Sequence, residues 1–299
     1  MTLLHLSALE HVHGDRRSIA ELSGRLAAEL LDPDSGLAYY RASDQEIWQL
    51  AAAAGIRTLA VSAELPDLLI YVTENDHHSS DSMTCLMRAL DLPAARYLRI
   101  SGHDCGNLGP ALVLARQALA SGEHRRVLLL LADKALDDDR NPANGLSVIS
   151  DGAVACLLTD RPPGFGRAKF AVHGMTAVTD LHSANPSQAG QGIMPMMALV
   201  VAGSTAITQQ TGRELKDFDH LVFPNYRKTT QEFLCSALGA PPERLLVGPM
   251  AEFGHCFSAD ILMTLRHCTN TGQIRPNDHV LASSDGPTSW TTLSVERLG

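Results

Sequence analysis

Ser101-Gly102-His103-Asp104-Cys105-Gly106-Asn107-Leu108-Gly109 is the stretch on which the reading of this chain turns. It lies between a β-rich run, Tyr97 to Ile100, and a long apolar helical pattern from about Pro110 to Ser121. A cysteine at the turn from strand into helix meets helix-end N–H groups and the positive end of the macrodipole, both of which favour a thiolate. Most free cysteines are inert core fillers. The surrounding pattern therefore decides whether Cys105 is a nucleophile.

Outward from this turn, strand-like and helix-like segments alternate. Asp67 to Thr73 reads as a buried strand, Glu74 to Ser82 as a polar loop, and Met83 to Leu90 as a helix. On the other side, Arg126 to Ala132 is a continuous apolar strand, and the run Leu146 to Leu158 holds Ser150-Asp151-Gly152-Ala153 within strand-like sequence. Near-continuous apolar strands separated by helices point to a parallel or mixed sheet covered on both faces. Upstream, Ser43 to Ala54 reads as a helix with Ser43 to Glu46 as its capping box, and Ile19, Leu22, Leu26 and Leu30 fit an amphipathic helix ending at Asp32-Pro33-Asp34-Ser35-Gly36.

Arg161-Pro162-Pro163-Gly164-Phe165-Gly166 punctuates the middle, dividing residues 1–160 from residues 161–299. The second half repeats the grammar. It predicts strand Lys169 to Val178, helix Met194 to Thr211, strand His220 to Phe223, helices Arg227 to Leu238 and Ser258 to Thr269, and strands His279 to Ser283 and Thr291 to Leu298. Two halves of similar order suggest an internal duplication of structure.

Composition narrows the class. The 299 residues, 45% hydrophobic and 19% charged, suit a folded α/β protein with a sizeable core. A net charge of −9 with no basic run argues against a nucleic-acid partner. Six cysteines without paired spacing fit reduced thiols and a cytoplasmic setting. The Met1 end lacks the pattern of a signal peptide, and the apolar stretch Ile193 to Ile207 is interrupted by Pro195, Gly203 and Ser204, so no membrane association is expected. The acidic run Asp137-Asp138-Asp139 reads as a solvated loop.

Three further segments place polar groups at the carboxyl ends of strands, where open α/β sheets carry their sites. They are Phe223-Pro224-Asn225-Tyr226, Glu252-Phe253-Gly254-His255-Cys256-Phe257-Ser258-Ala259 and Ser283-Ser284-Asp285-Gly286-Pro287-Thr288. With the cysteine turn, Ser150 to Ala153, Gln273 to Leu281 and the closing Gly286 to Trp290, the chain from about Pro66 onward resembles the thiolase superfamily, most closely its β-ketoacyl-ACP synthase III branch. The first 65 residues look shortened against that pattern.

The resemblance implies a duplicated αβαβα layered fold with mixed sheets, usually dimeric, whose cysteine takes an acyl group from a CoA or carrier-protein thioester. In synthase III enzymes the turn before Tyr226 carries histidine and the turn after Gly254 carries asparagine. Here they are exchanged, as Asn225 and His255, in the order that thiolases use. The implied roles are Cys105 as nucleophile, His255 as base or cation partner, and Asn225 with backbone N–H groups of Cys105 and the loop at Gly286 as oxyanion donors. Thiolytic cleavage is disfavoured, because no second cysteine stands in the late loop. Pro287, which lacks an N–H, stands where relatives are glycine-rich and weakens the late-loop half of the oxyanion hole. The small polar residues near Ser80 imply a reshaped acyl pocket.

The expected activity is an acyltransferase or ketosynthase of the synthase III type, outside fatty-acid initiation and within a specialised biosynthetic pathway. The alternatives are a catalytically silent subunit of a heterodimer with an active relative, or an acyl-thioester hydrolase. Expected partners are an acyl-thioester donor, an acyl carrier protein, and a second copy or a homologue. No cofactor and no metal are expected: His11, His13, His77 and His78 lack zinc spacing. His103 reads as structural or as lying just behind the site, and Cys256 as core. Tyr40, Arg41, Arg227 and Lys228 read as solvated surface rather than as contacts to CoA phosphates.

Overall fold

Each residue of Val127-Leu128-Leu129-Leu130-Leu131 is buried, but alternate ones enter different cores. Val127, Leu129 and Leu131 pack into one cluster; Leu128 and Leu130 pack into another. That is the period of two of a strand whose two faces are both covered. At about 1.5–3 kcal/mol per fully buried aliphatic side chain, such strands dominate the favourable side of folding.

The computed structural model describes residues 3–62, 65–77, 79–141, 145–164, 169–179, 193–286 and 289–299. The elements in chain order are β1 (Leu4–His13), β2 (Asp15–Ser18), α1 (Ala28–Leu31), β3 (Tyr39–Ala42), α2 (Ile47–Ala60), β4 (Leu68–Val72), α3 (Ser79–Ala89), β5 (Arg96–Ile100), α4 (Leu108–Ala120), β6 (Val127–Asp133) and β7 (Gly152–Thr159). Then follow β8 (Phe170–Thr179), α5 (Ile193–Thr211), β9 (His220–Val222), α6 (Lys228–Ala237), α7 (Met250–Phe253), α8 (Asp260–Asn270), β10 (His279–Gly286) and β11 (Ser289–Arg297).

Nine strands form one mixed ladder in the order β5-β4-β6-β7-β1-β8-β11-β10-β9, and β2 and β3 form a small hairpin beside it. The strands before and after residue 160 meet where Leu4, His5 and Leu6 of β1 pair with Val172, Ala171 and Phe170 of β8. Three apolar clusters give the layers. The central one joins α4 and α8 to one face of both groups of strands, including Ile70 and Leu129 from the first and Val280 and Val295 from the second. Leu50, Leu86 and neighbours of α2 and α3 cover the outer face of β4, β6 and β7. Val200, Ile207 and Leu234 of α5 and α6 cover the outer face of β9 to β11. This is the αβαβα order, with α4 and α8 as the middle layer.

The first 60 residues differ from their sequence reading. The chain opens on β1, not on a helix: the alternation of Leu4, Leu6 and Leu9 is interrupted by a bulge between Ser7 and Glu10, with Ala8 at φ 53°. Such a bulge hides the period of two. Ile19, Leu22, Leu26 and Leu30 do form a shared core with Tyr40 and Met250, but across separate short turns rather than one helix. The helix expected from Ser43 starts at Ile47, and its capping box is made by Glu46 and Gln49. Phe165 and Gly166 of the midpoint lie outside the described residues, as do His78, Pro287 and Thr288 and the side chain of Ser80. Among the described residues, no helix is long and apolar enough to cross a membrane.

Candidate active site

The cysteine turn is a single short helical turn, Asp104–Gly106, feeding α4. Asp104 has φ 53°, a left-handed conformation that costs a non-glycine residue energy and is tolerated where surrounding bonds enforce it. Those bonds come from Glu74, whose Oε2 accepts from Gly102 N at 2.7 Å, Asp104 N at 3.2 Å and Asn107 Nδ2 at 2.9 Å. From beneath, the Ser258 hydroxyl donates to the Cys105 carbonyl at 2.9 Å, and the Ser284 hydroxyl donates to it at 3.2 Å. The late loop meets the turn closely: a Cβ on Gly286 would stand 2.3 Å from the His103 carbonyl oxygen. His103 contributes through its backbone, donating its N–H to Asn107 Oδ1, while the residue itself is exposed.

His255 follows Gly254, which has φ 57° and ψ −150°, a region open essentially to glycine alone. A Cβ there would lie 2.5 Å from the Val148 carbonyl oxygen. That crowding reflects a backbone clasp, in which His255 N donates to Val148 O at 2.8 Å and Ser150 N donates to His255 O at 2.9 Å. Asp151 anchors the same segment by accepting a paired contact from buried Arg140, at 2.5 and 3.1 Å. The Ser150-Asp151-Gly152 motif thus places the histidine.

The outcome is a linear relay. Cys105 Sγ lies 3.0 Å from His255 Nε2, and His255 Nδ1 lies 2.5 Å from Asp260 Oδ2. Asp260, at the first position of α8, also accepts from Asn225 N at 2.8 Å and Cys256 N at 2.7 Å. Asn225 is fully buried, with its side-chain amide donating to Asp260 Oδ1 at 3.3 Å and its side-chain carbonyl accepting from the Thr264 hydroxyl at 3.4 Å. These contacts direct it behind His255. Asp260 was not among the residues singled out from sequence; an acid in the first turn of a helix is an ordinary feature, and only the fold-back onto His255 distinguishes it.

A second buried pair adjoins the relay, in which the Tyr226 hydroxyl donates to Asp285 Oδ1 at 2.5 Å. Burial pushes the Asp285 carboxyl up to about 6, against the opposing pull of Tyr226 and His255. The Cys105 thiol is pushed well up by burial and then by Asp104, Asp285 and Asp260. This runs against the expectation of a thiolate: burial first, and then the three carboxylates, favour the protonated thiol. For His255, burial favours the neutral ring, but the charge and hydrogen bond of Asp260, with Asp285 and Asp104, outweigh it and raise its pKa.

Other expectations also settle. Arg41 is not solvated surface: its Nε donates to the Glu252 carbonyl at 2.8 Å, and Tyr40 is buried. Cys256 is buried in the central core, and all six cysteines are free. Lys228 is exposed and pairs with Glu232.

Comparison with known proteins agrees with this architecture. Residues 208–295 match the family model for the C-terminal part of 3-oxoacyl-[acyl-carrier-protein] synthase III. The acyltransferase ChlB3 superposes with a TM-score of 0.84 at 20% identity, covering 99% of this chain and 98% of its own. The chain has the synthase III fold. The 3-oxoacyl-(acyl carrier protein) synthase III of Pseudomonas aeruginosa PAO1 gives a TM-score of 0.82 at 18% identity, covering 99% and 98% of the two chains. A Cys-to-Ser variant of OleA from Xanthomonas campestris, bound to lauric acid and lauroyl-CoA, gives 0.81 at 14%, covering 99% and 100%. A search of curated proteins returned no match. This thiolase-like, synthase III-type architecture is the fold on which the Cys105–His255–Asp260 relay is carried.

Proposed function

We propose that the protein is an acyltransferase of the synthase III type that works through an acyl-cysteine. The observation that carries this reading is the 3.0 Å contact between Cys105 Sγ and His255 Nε2, with Asp260 2.5 Å behind the ring. His255 takes the thiol proton as sulfur attacks the thioester carbonyl, and the oxyanion is received by the N–H groups of Cys105 and Gly286. Collapse of the tetrahedral intermediate breaks the bond to the donor sulfur, and His255 returns the proton to the departing CoA or carrier thiol. An oxygen, nitrogen or carbon nucleophile then takes the acyl group from Cys105. Asp260 keeps the ring in the tautomer with Nε2 free, as the carboxylate of a Ser-His-Asp triad does. Asn225 is a positioning residue that acts through Asp260.

The assembled relay favours an active enzyme over a silent subunit, which has no need to hold a thiol, an imidazole and a carboxylate in line. The edge strand β5, with Tyr97 and Leu98 exposed, offers a margin for pairing with a second copy or a homologue. Intact-mass measurement after brief exposure to short and medium acyl-CoAs tests the reading. A gain equal to the acyl group, absent from Cys105→Ala, is expected. No adduct from any CoA or carrier-protein donor would remove it.

A further inference from the structure

A second cluster of ligating side chains lies at the far end of the C-terminal strands. Among the described residues, His173, His279 and Glu296 form a group whose ligand atoms all lie within 4.8 Å of one another. Sequence spacing hides it, because the three sit on β8, β10 and β11. The ladder assembles it: His279 stands directly opposite Glu296, and β8 bulges between Val172 and Gly174, so that His173 has no opposite number on β11. Bulges re-aim the extra residue's side chain. Here His173 Nε2 is brought to 2.6 Å from Glu296 Oε2.

We propose that His173, His279 and Glu296 form a divalent-metal site that takes zinc(II), with water completing the coordination. Two imidazoles and one carboxylate are a ligand set suited to zinc, which holds N and O donors at about 2.0–2.2 Å. Tetrahedral ligands at that radius lie about 3.4 Å apart, so small side-chain rotations bring the present cluster to bonding geometry. His279 Nδ1 is buried without a hydrogen-bond partner among the described residues, a cost that ligation or the ring's rotation onto an ion would relieve. All three residues are partly exposed, which leaves a path for the ion and room for water. Arg213 and Asp219 face His279, and His5 faces His173, so the surrounding charge is mixed rather than prohibitive.

β10 runs from His279 to Gly286, so at roughly 3.4 Å per residue the cluster lies about 24 Å from the late loop of the active site. An ion there would act as a staple across three adjacent strands and not as part of the acyl chemistry. The test uses the full chain stripped with chelator and dialysed against zinc(II), or against cobalt(II) as a spectroscopic probe. One metal per chain is expected, with a cobalt spectrum lacking thiolate charge transfer, and a metal-dependent rise in the thermal midpoint. His279→Ala and the near-isosteric Glu296→Gln should each weaken binding at least tenfold and abolish that rise. Absence of stoichiometric binding would overturn the proposal. So would binding that survives both variants, or that shows thiolate ligation and disappears in Cys105→Ser.

Discussion

Asp260 Oδ2 receives both the Nδ1 side of His255, at 2.5 Å, and the backbone N–H of Asn225, at 2.8 Å. One carboxylate therefore fixes the imidazole and the turn that follows β9, tying together the two segments that carry His255 and Asn225. On the proposed reading, His255 is the base opposite Cys105 and Asp260 the acid that orients it. Asn225, fully buried, meets the same carboxylate through its backbone N–H and its side-chain amide.

Replacing Asp260 with asparagine keeps the volume and removes the charge. The amide that results can present a donor to His255 and favour the wrong tautomer. Removal of the corresponding acid from a Ser-His-Asp triad costs about 10⁴ in kcat; a loss of about 10³–10⁴ in the rate of Cys105 acylation is expected here. Time-resolved intact mass measures it, and circular dichroism checks that the fold is kept. A rate within threefold of the parent would show that Asp260 does not act through His255.

The acid limb of the acylation profile should lie above the ordinary histidine value of about 6.5. His255 acts as a base only when neutral, and Asp260 raises its pKa despite burial, so activity falls as pH drops through that raised value. Above it the rate should plateau, because the Cys105 thiol is itself pushed up and remains protonated. The same shift bears on stability: a proton held more tightly in the folded state stabilises fully below about 6.5 and is lost as pH rises through the folded pKa. Moving the acid limb to lower pH in Asp260→Asn, by rate measurement across pH, is the expected signature.

Much of this site was legible because its parts are local. Cys105 and Asn225 each sit in a turn that follows a strand and Gly286 closes β10, whereas His255 follows the short helix α7 and not the strand end its sequence suggests; glycine and proline mark such turns in a sequence. What escaped reading depends on distance in the chain. Glu74 reaches Asp104 across 30 residues, and Tyr226 meets Asp285 across 59. The direction of the Cys105 shift was also out of reach, since it follows first from burial and then from carboxylates that include the distant Asp285 and Asp260 beside the adjacent Asp104. In the first segment, apolar spacing at Ile19, Leu22, Leu26 and Leu30 matched a helix, yet Gly24 at φ 84° breaks the run into turns that share one core.

Gly254→Ala should lower both stability and activity. A side chain at φ 57°, ψ −150° is strained, and its Cβ would meet the Val148 carbonyl at 2.5 Å, the same carbonyl that accepts from His255 N. Strain of this kind costs on the order of 1–3 kcal/mol. Thermal denaturation should show the loss, and acylation should slow because relief of the clash displaces His255 from Cys105. An unchanged midpoint with full activity would mean that this turn is not under the constraint described.

Arg140→Ala is expected to cost far more than the loss of an exposed pair such as Lys228 with Glu232. Arg140 is 5% exposed and Asp151 is 0% exposed, and the two share a bidentate contact. Removing the cation strands a buried carboxylate whose remaining donors are the backbone N–H groups of Ser43 and Ala135; breaking such a pair costs about 3–5 kcal/mol. Lys228→Ala, by contrast, should stay within about 0.5 kcal/mol, because an exposed i,i+4 pair is screened and entropically costly. Denaturant unfolding of both variants gives the comparison. Since Ser150 N donates to the His255 carbonyl beside Asp151, only Arg140→Ala should also slow acylation at temperatures where it remains folded; equal, small effects from both variants would mean that the Asp151 anchor does not hold the histidine in place.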